Sequence, residues 1–84
     1  MKTRVYGRYI VSDPDVCHGK PTFRGTRILV ADVLEQVAAG IDWQVIIEEW
    51  RHSISRDAIA EAVTLSKQAF LENSDKYIIE TTAA

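Results

Sequence analysis

IDWQVIIEEWRHSISRDAI, residues 41–59, contains two helix starts built to one plan. Asp42 stands as an N-cap before a run that puts Trp43, Ile46, Ile47 and Trp50 on one face. Ser55 stands as an N-cap before a stripe of Ile59, Ala62, Val63, Ser66, Ala69 and Phe70, with Asp57 in the first turn to suit the positive end of the dipole. In each case an isoleucine precedes the cap (Ile41, Ile54) and a second follows at the fourth helical position (Ile46, Ile59), the spacing of a hydrophobic staple. A staple fixes the angle at which the chain enters its helix. Two in succession, joined by a short link, specify a non-collinear pair of the helix-turn-helix kind.

Working back from this pair, Val30, Val33, Leu34, Val37 and Ala38 recur at helical spacing, and Gly40 supplies a residue suited to ending a helix. The expected helices are Val30–Ala39, Trp43–Trp50 and a longer third one from Ser55. Before them, Tyr9, Ile10 and Val11 read as a short strand that stops at the Ser12-Asp13-Pro14-Asp15 turn. A second strand falls on Thr22-Phe23-Arg24 or on Arg27-Ile28-Leu29, with Gly25 free to take positive φ between them. The chain thus divides into an arm at 1–29 with a short β element and a basic loop, a three-helix core at 30–72 and a partner-binding segment at 73–84. The fold class is mainly α.

With 84 residues there is room for one small core. No apolar run approaches the ~18 residues of a membrane span and no signal-peptide pattern opens the chain, so a cytoplasmic protein is expected. A single cysteine, Cys17, excludes an internal disulfide and suits a reducing compartment. The net charge of −2 conceals a split: Met1–Val30 carries six Lys/Arg against two Asp, whereas Ala31–Ala84 carries four against ten acidic residues. Nucleic-acid contact therefore has to come from a local basic patch.

That patch lies in GKPTFRGTRILV, residues 19–30. Gly19-Lys20-Pro21 is not a phosphate-binding loop, because a proline follows the lysine and removes a backbone N–H that an anion cradle would use. Pro21 and Gly25 shape a turn that the Thr26 hydroxyl is placed to brace. Lys20, Arg24 and Arg27 form a positive cluster for phosphates, Lys20 foremost, with Asp32 or Glu35 as alternative partners for either arginine. On helix three the outward positions are Arg56, Asp57, Ala60, Glu61, Thr64, Lys67 and Gln68. Arg56, in the first turn, is the leading DNA-contacting residue and Lys67 a second, while Asp57 and Glu61 would repel phosphate. Cys17, His18 and His52 match no metal-ligand spacing and no nucleophilic constellation is present, so neither a metal, a cofactor, a small-molecule substrate nor catalysis is expected. Trp43 and Trp50 read as core or interface anchors.

Asp13-Pro14, Gly19-Lys20-Pro21, Arg24-Gly25-Thr26-Arg27-Ile28, Val30, the helix closing at Gly40, Glu48-Glu49-Trp50 and the stapled Ile54–Ile59 start together resemble the bacterial family known as domain of unknown function 433. Its members resemble antitoxins of the VapB type encoded beside PIN-like ribonuclease toxins. The run GKPxxRGTR carries most of this specificity. Three positions depart from the family pattern: His18 where glycine is common, Leu29 where proline follows the arginine-isoleucine pair, and Arg51 where proline often follows the aromatic residue. The resemblance implies a homeodomain-like helix-turn-helix fold and a homodimeric antitoxin of a type II toxin-antitoxin system. Such a protein represses its own operon by binding operator DNA and neutralises its toxin directly. The toxin-binding candidates are Lys76, Tyr77, Ile78 and Ile79, an apolar knot after the helix-stopping Asn73-Ser74-Asp75. The competing expectation is a protein-interaction module without DNA binding, which applies its acidic helical half to a basic partner.

Overall fold

The computed structural model describes residues 2–83; Met1 of the expected arm and Ala84 of the expected 73–84 segment lie outside the described residues. Three helices, α1 (Val30–Ala38), α2 (Trp43–Glu49) and α3 (Arg56–Glu72), pack with a small antiparallel sheet ordered β1 (Arg4–Val5), β2 (Ile10–Ser12), β3 (Thr22–Phe23). The chain is a mainly α small domain, with helix boundaries close to those read from the sequence.

Both staples close. Ile46 and Ile59 are completely buried, Ile54 is nearly so, and Ile41 packs against the same cluster. The Ser55 hydroxyl accepts from the Ala58 N–H at 3.1 Å. Asp42 occupies its expected N-cap position, but its side chain makes no capping bond, so the start of α2 relies on the staple and on core packing. Helix α1 ends as Gly40 predicts: at φ +80° it lets the Gly40 N–H donate to Val37 O and the Ile41 N–H donate to Gln36 O, the paired bonds of a Schellman motif. Trp50 anchors α2 to α1, its indole N–H donating to Gln36 Oε1 at 2.7 Å while Gln36 Nε2 donates to Glu49.

Helix α3 departs from expectation along its length. Ala58, Ile59 and Ala62 are buried and Leu65 partly so, but every residue from Ser66 to Glu72 is exposed, including Ala69 and Phe70 of the expected stripe. The reason is length. Helices of nine and seven residues span about 14 and 10 Å, whereas the 17 residues of α3 span about 26 Å, so its last turns run past the helices that cover its start.

In the arm, Asp13 Oδ1 accepts from the Asp15 N–H at 2.9 Å, making the expected turn. Both candidates for the second strand are used: Thr22–Phe23 is β3, and Leu29 bridges back to Thr22 across a loop in which Gly25 sits at φ +76°. The Thr26 hydroxyl donates to Phe23 O at 2.8 Å and accepts from the Ile28 N–H at 2.9 Å, bracing that loop.

Strand β1 and its hairpin with β2 were not anticipated, and they correct the reading of Glu61. This residue does not face solvent as a phosphate-repelling carboxylate. Its Oε2 accepts from the Arg8 N–H at 3.0 Å and its Oε1 from the Tyr9 N–H at 2.8 Å, clamping the hairpin tip to α3. A Cβ at position 7 would lie 2.7 Å from the Glu61 carboxyl group, so the carboxylate would have to move aside. Gly7→Ala therefore displaces the carboxylate and weakens both bonds, lowering stability by about 1–2 kcal/mol in urea unfolding. In a Glu61→Ala background the same change should cost little, so the double-mutant cycle reports a coupling of about 1 kcal/mol.

Candidate functional site

The link between α2 and α3 is a second Schellman closure made without glycine. Arg51 and His52 take φ of +55° and +61°, the Arg51 N–H donates to Glu48 O at 3.0 Å, and the His52 N–H donates to Ile47 O at 2.9 Å. Left-handed geometry costs an L-residue about 1–2 kcal/mol, and here two consecutive exposed residues adopt it. The turn is held in one shape by those bonds and by buried Ile47 and Ile54 on either side.

Against this turn lies an open cleft of about 510 Å³, floored by Phe23, Ile47 and Ile54. Its polar rim comprises Arg24 from the loop after β3, Arg56 from the first turn of α3, Gln44, His52, Ser53 and Ser55, and none of the residues lining it is acidic. The Arg56 guanidinium sits over the Trp43 ring, 5.7 Å from its centroid. Arg24 reaches the hairpin tip, Nη2 donating to Gly7 O at 3.4 Å, rather than turning to Asp32 or Glu35. Two arginines more than 30 residues apart thus converge on one concave surface suited to an anion.

The basic loop is divided. Lys20 and Arg27 lie on either side of the tight turn at Cys17–Gly19: the Lys20 N–H donates to Cys17 O at 3.2 Å, and Cys17 Sγ donates to Arg27 O at 3.4 Å. Beside that turn, His18 and Gly19 share a second depression, about 730 Å³, with Lys2 and Arg4. Arg24 and Arg56 therefore meet at the cleft, whereas Lys20 and Arg27 do not line it and are tied to the Cys17 turn through their backbone; all four side chains are exposed. Lys67 lies on the Arg56 face of α3, three turns and about 16 Å along the axis. Arg8 was missed from the sequence. Exposed at the hairpin tip, it holds its guanidinium 5.6 Å from the centroid of the Tyr9 ring, and Tyr9 itself lines the cleft. The only signal was a cation between Gly7 and an aromatic residue, which is weak without the hairpin.

At the other end of the chain, the Asn73 side-chain amide donates to Ala69 O and stops α3, and a short 3₁₀ turn at Ser74–Tyr77 carries Lys76 and Tyr77. Tyr77 packs on Phe70 with ring centroids 5.5 Å apart yet stays 62% exposed, and Ile78 and Ile79 are 59% and 98% exposed. With Leu71 and Phe70 they make an uncovered apolar surface. Among the described residues, no group of three His, Cys, Asp or Glu side chains is placed to hold a metal ion, and no helix is long and apolar enough to cross a membrane.

The sequence profile of the family described as "Protein of unknown function (DUF433)" matches residues 10–70. An uncharacterized protein of Sinorhizobium fredii (strain NBRC 101917 / NGR234), y4eO, is 44% identical over 41 residues, which cover 49% of this chain and 19% of that protein. The matched stretch therefore spans less than a fifth of the length of that relative. No solved structure gives a significant match.

The matched span takes in the α2–α3 turn, whose strain is measurable. Arg51→Gly relieves the left-handed penalty at the first position past the helix and should raise stability by about 1 kcal/mol in thermal or urea unfolding. A destabilising effect would show that the Arg51 side chain, not its backbone geometry, holds the turn.

Proposed function

The chain belongs to the family described as protein of unknown function DUF433, and we propose that it acts as the resemblance to VapB-type antitoxins implies, as a DNA-binding antitoxin that represses its operon and neutralises a PIN-like ribonuclease toxin. The observation that carries this reading is the convergence of Arg24 and Arg56 on an open cleft, free of lining carboxylates, at the stapled α2–α3 turn. In this reading α2 and α3 are a helix-turn-helix of the homeodomain-like kind, and the first turn of α3 approaches the major groove while Arg24 rests on the flanking phosphates. The exposed surface of Phe70, Leu71, Tyr77, Ile78 and Ile79 supports a separate protein contact, large apolar side chains being costly to leave in water. The protein acts as a homodimer in the cytoplasm, by sequestration and repression, without a catalytic step. That same apolar surface favours a second reading, a protein-interaction module that never meets DNA.

Affinity for a duplex taken from immediately upstream of the gene should fall steeply with salt, the log–log slope having a magnitude of about 0.9 per phosphate contacted. Arg24→Ala with Arg56→Ala should lower that magnitude by about 1.8. Binding that ignores salt, or no binding, leaves the interaction module as the function. For the toxin contact, a chain ending at Asn73 keeps every buried core residue and should fold, but should no longer rescue cells expressing the neighbouring toxin gene. Unchanged rescue would move the inhibitory contact into the helices.

A further inference from the structure

Two basic groups compete for the duplex, and the structure distinguishes them by how their side chains are held. Resting on the DNA-binding reading above, we infer that the duplex crosses the hairpin tip, with Arg8 as a third phosphate contact beside Arg24 and Arg56, and that Lys20 and Arg27 stay off it.

Tyr9 is the residue that joins the three. Its N–H donates to Glu61, its carbonyl accepts from the Arg24 N–H at 2.7 Å, and its ring both lines the cleft and carries the Arg8 guanidinium. Arg8 therefore stands beside the cleft that Arg24 and Arg56 line, over the ring of a residue they share it with. Each of the three guanidinium groups is also pre-arranged: Arg8 over Tyr9, Arg56 over Trp43, Arg24 on the Gly7 carbonyl. A planar fork lying on an aromatic face or a fixed carbonyl loses less side-chain freedom when it binds phosphate than a free cation does. What ties Lys20 and Arg27 to the fold is backbone, the Lys20 N–H and the Arg27 carbonyl at the Cys17 turn, so their long side chains have all their freedom still to lose. Finally, the one carboxylate at the tip does not oppose a phosphate there. Glu61 directs one oxygen to the Arg8 amide and the other to the Tyr9 amide, so the carboxylate is held against the backbone and partly screened rather than projecting from the tip.

The test is fluorescence anisotropy of the full chain on a duplex from immediately upstream of its gene, read as the salt slope. Arg8→Ala should lower the slope magnitude by about 0.9, as Arg56→Ala does, Arg8→Lys should restore it, and Lys20→Ala should leave it at the wild-type value. The side chain of Arg8 is exposed, so its loss leaves the core intact, and unfolding curves of the variants check this. A normal wild-type slope that Arg8→Ala does not change, or that Lys20→Ala lowers instead, overturns the inference and leaves the DNA reading standing. A wild-type chain with no salt slope overturns both.

Discussion

The Glu61 carboxylate is the interaction on which the arrangement depends. Strands of two and three residues have little cohesion of their own, and a hairpin this small is marginal in water. Glu61, on the second turn of α3, takes the two amides at the hairpin tip and joins segments more than 50 residues apart in sequence. Hydrogen bonds to a charged acceptor are about twice as strong as neutral ones, and these two fix both position and orientation of the tip. Gly7 leaves room for it, since a Cβ there would press on the carboxylate and require it to shift. Through Tyr9 the clamp also sets where Arg24 sits, so the acidic helical half of the chain positions the cations of the basic half.

Much of the helical architecture was legible because it is local. The 3.6-residue spacing, the two staples and Gly40 each act over four to six residues, and all of them appear in the structure with α1, α2 and α3. The extent of the buried stripe on α3 was not legible, because it is set by the lengths of α1 and α2 rather than by the periodicity of α3 itself. The partner of Glu61 was hidden for a related reason: it is a pair of backbone amides, which no side-chain pattern announces. Within the basic loop, only Arg24 lines the cleft. Gly25 turns the chain between Arg24 and Arg27, and Arg56, far away in sequence, lines the same cleft as Arg24.

The places where the chain departs from the family pattern it resembles acquire a physical meaning from the backbone. His18 stands at φ +58°, a left-handed position where glycine would be unstrained, and Arg51 stands at φ +55°, which proline, fixed near −65°, cannot adopt. Leu29 lies at φ −69° just before α1, a value proline shares, so that departure changes side chain without changing backbone. Of the three, Arg51 alone has a geometry the family's commoner residue excludes.

The outer turns of α3 have one more implication. From Ser66 onward every residue of the helix is exposed, although Phe70 packs on Tyr77 and Ser66, Gln68, Ala69 and Glu72 border a groove with Tyr6 and Pro21, so this half of the helix has far less buried support than its start. With little buried contact, these turns are expected to open at a lower free energy than the core. Any molecule that covers them also contributes to their coil-to-helix balance, so its association should release heat and carry a negative heat-capacity change beyond that of the covered area. Warming would loosen its grip before it loosened the domain.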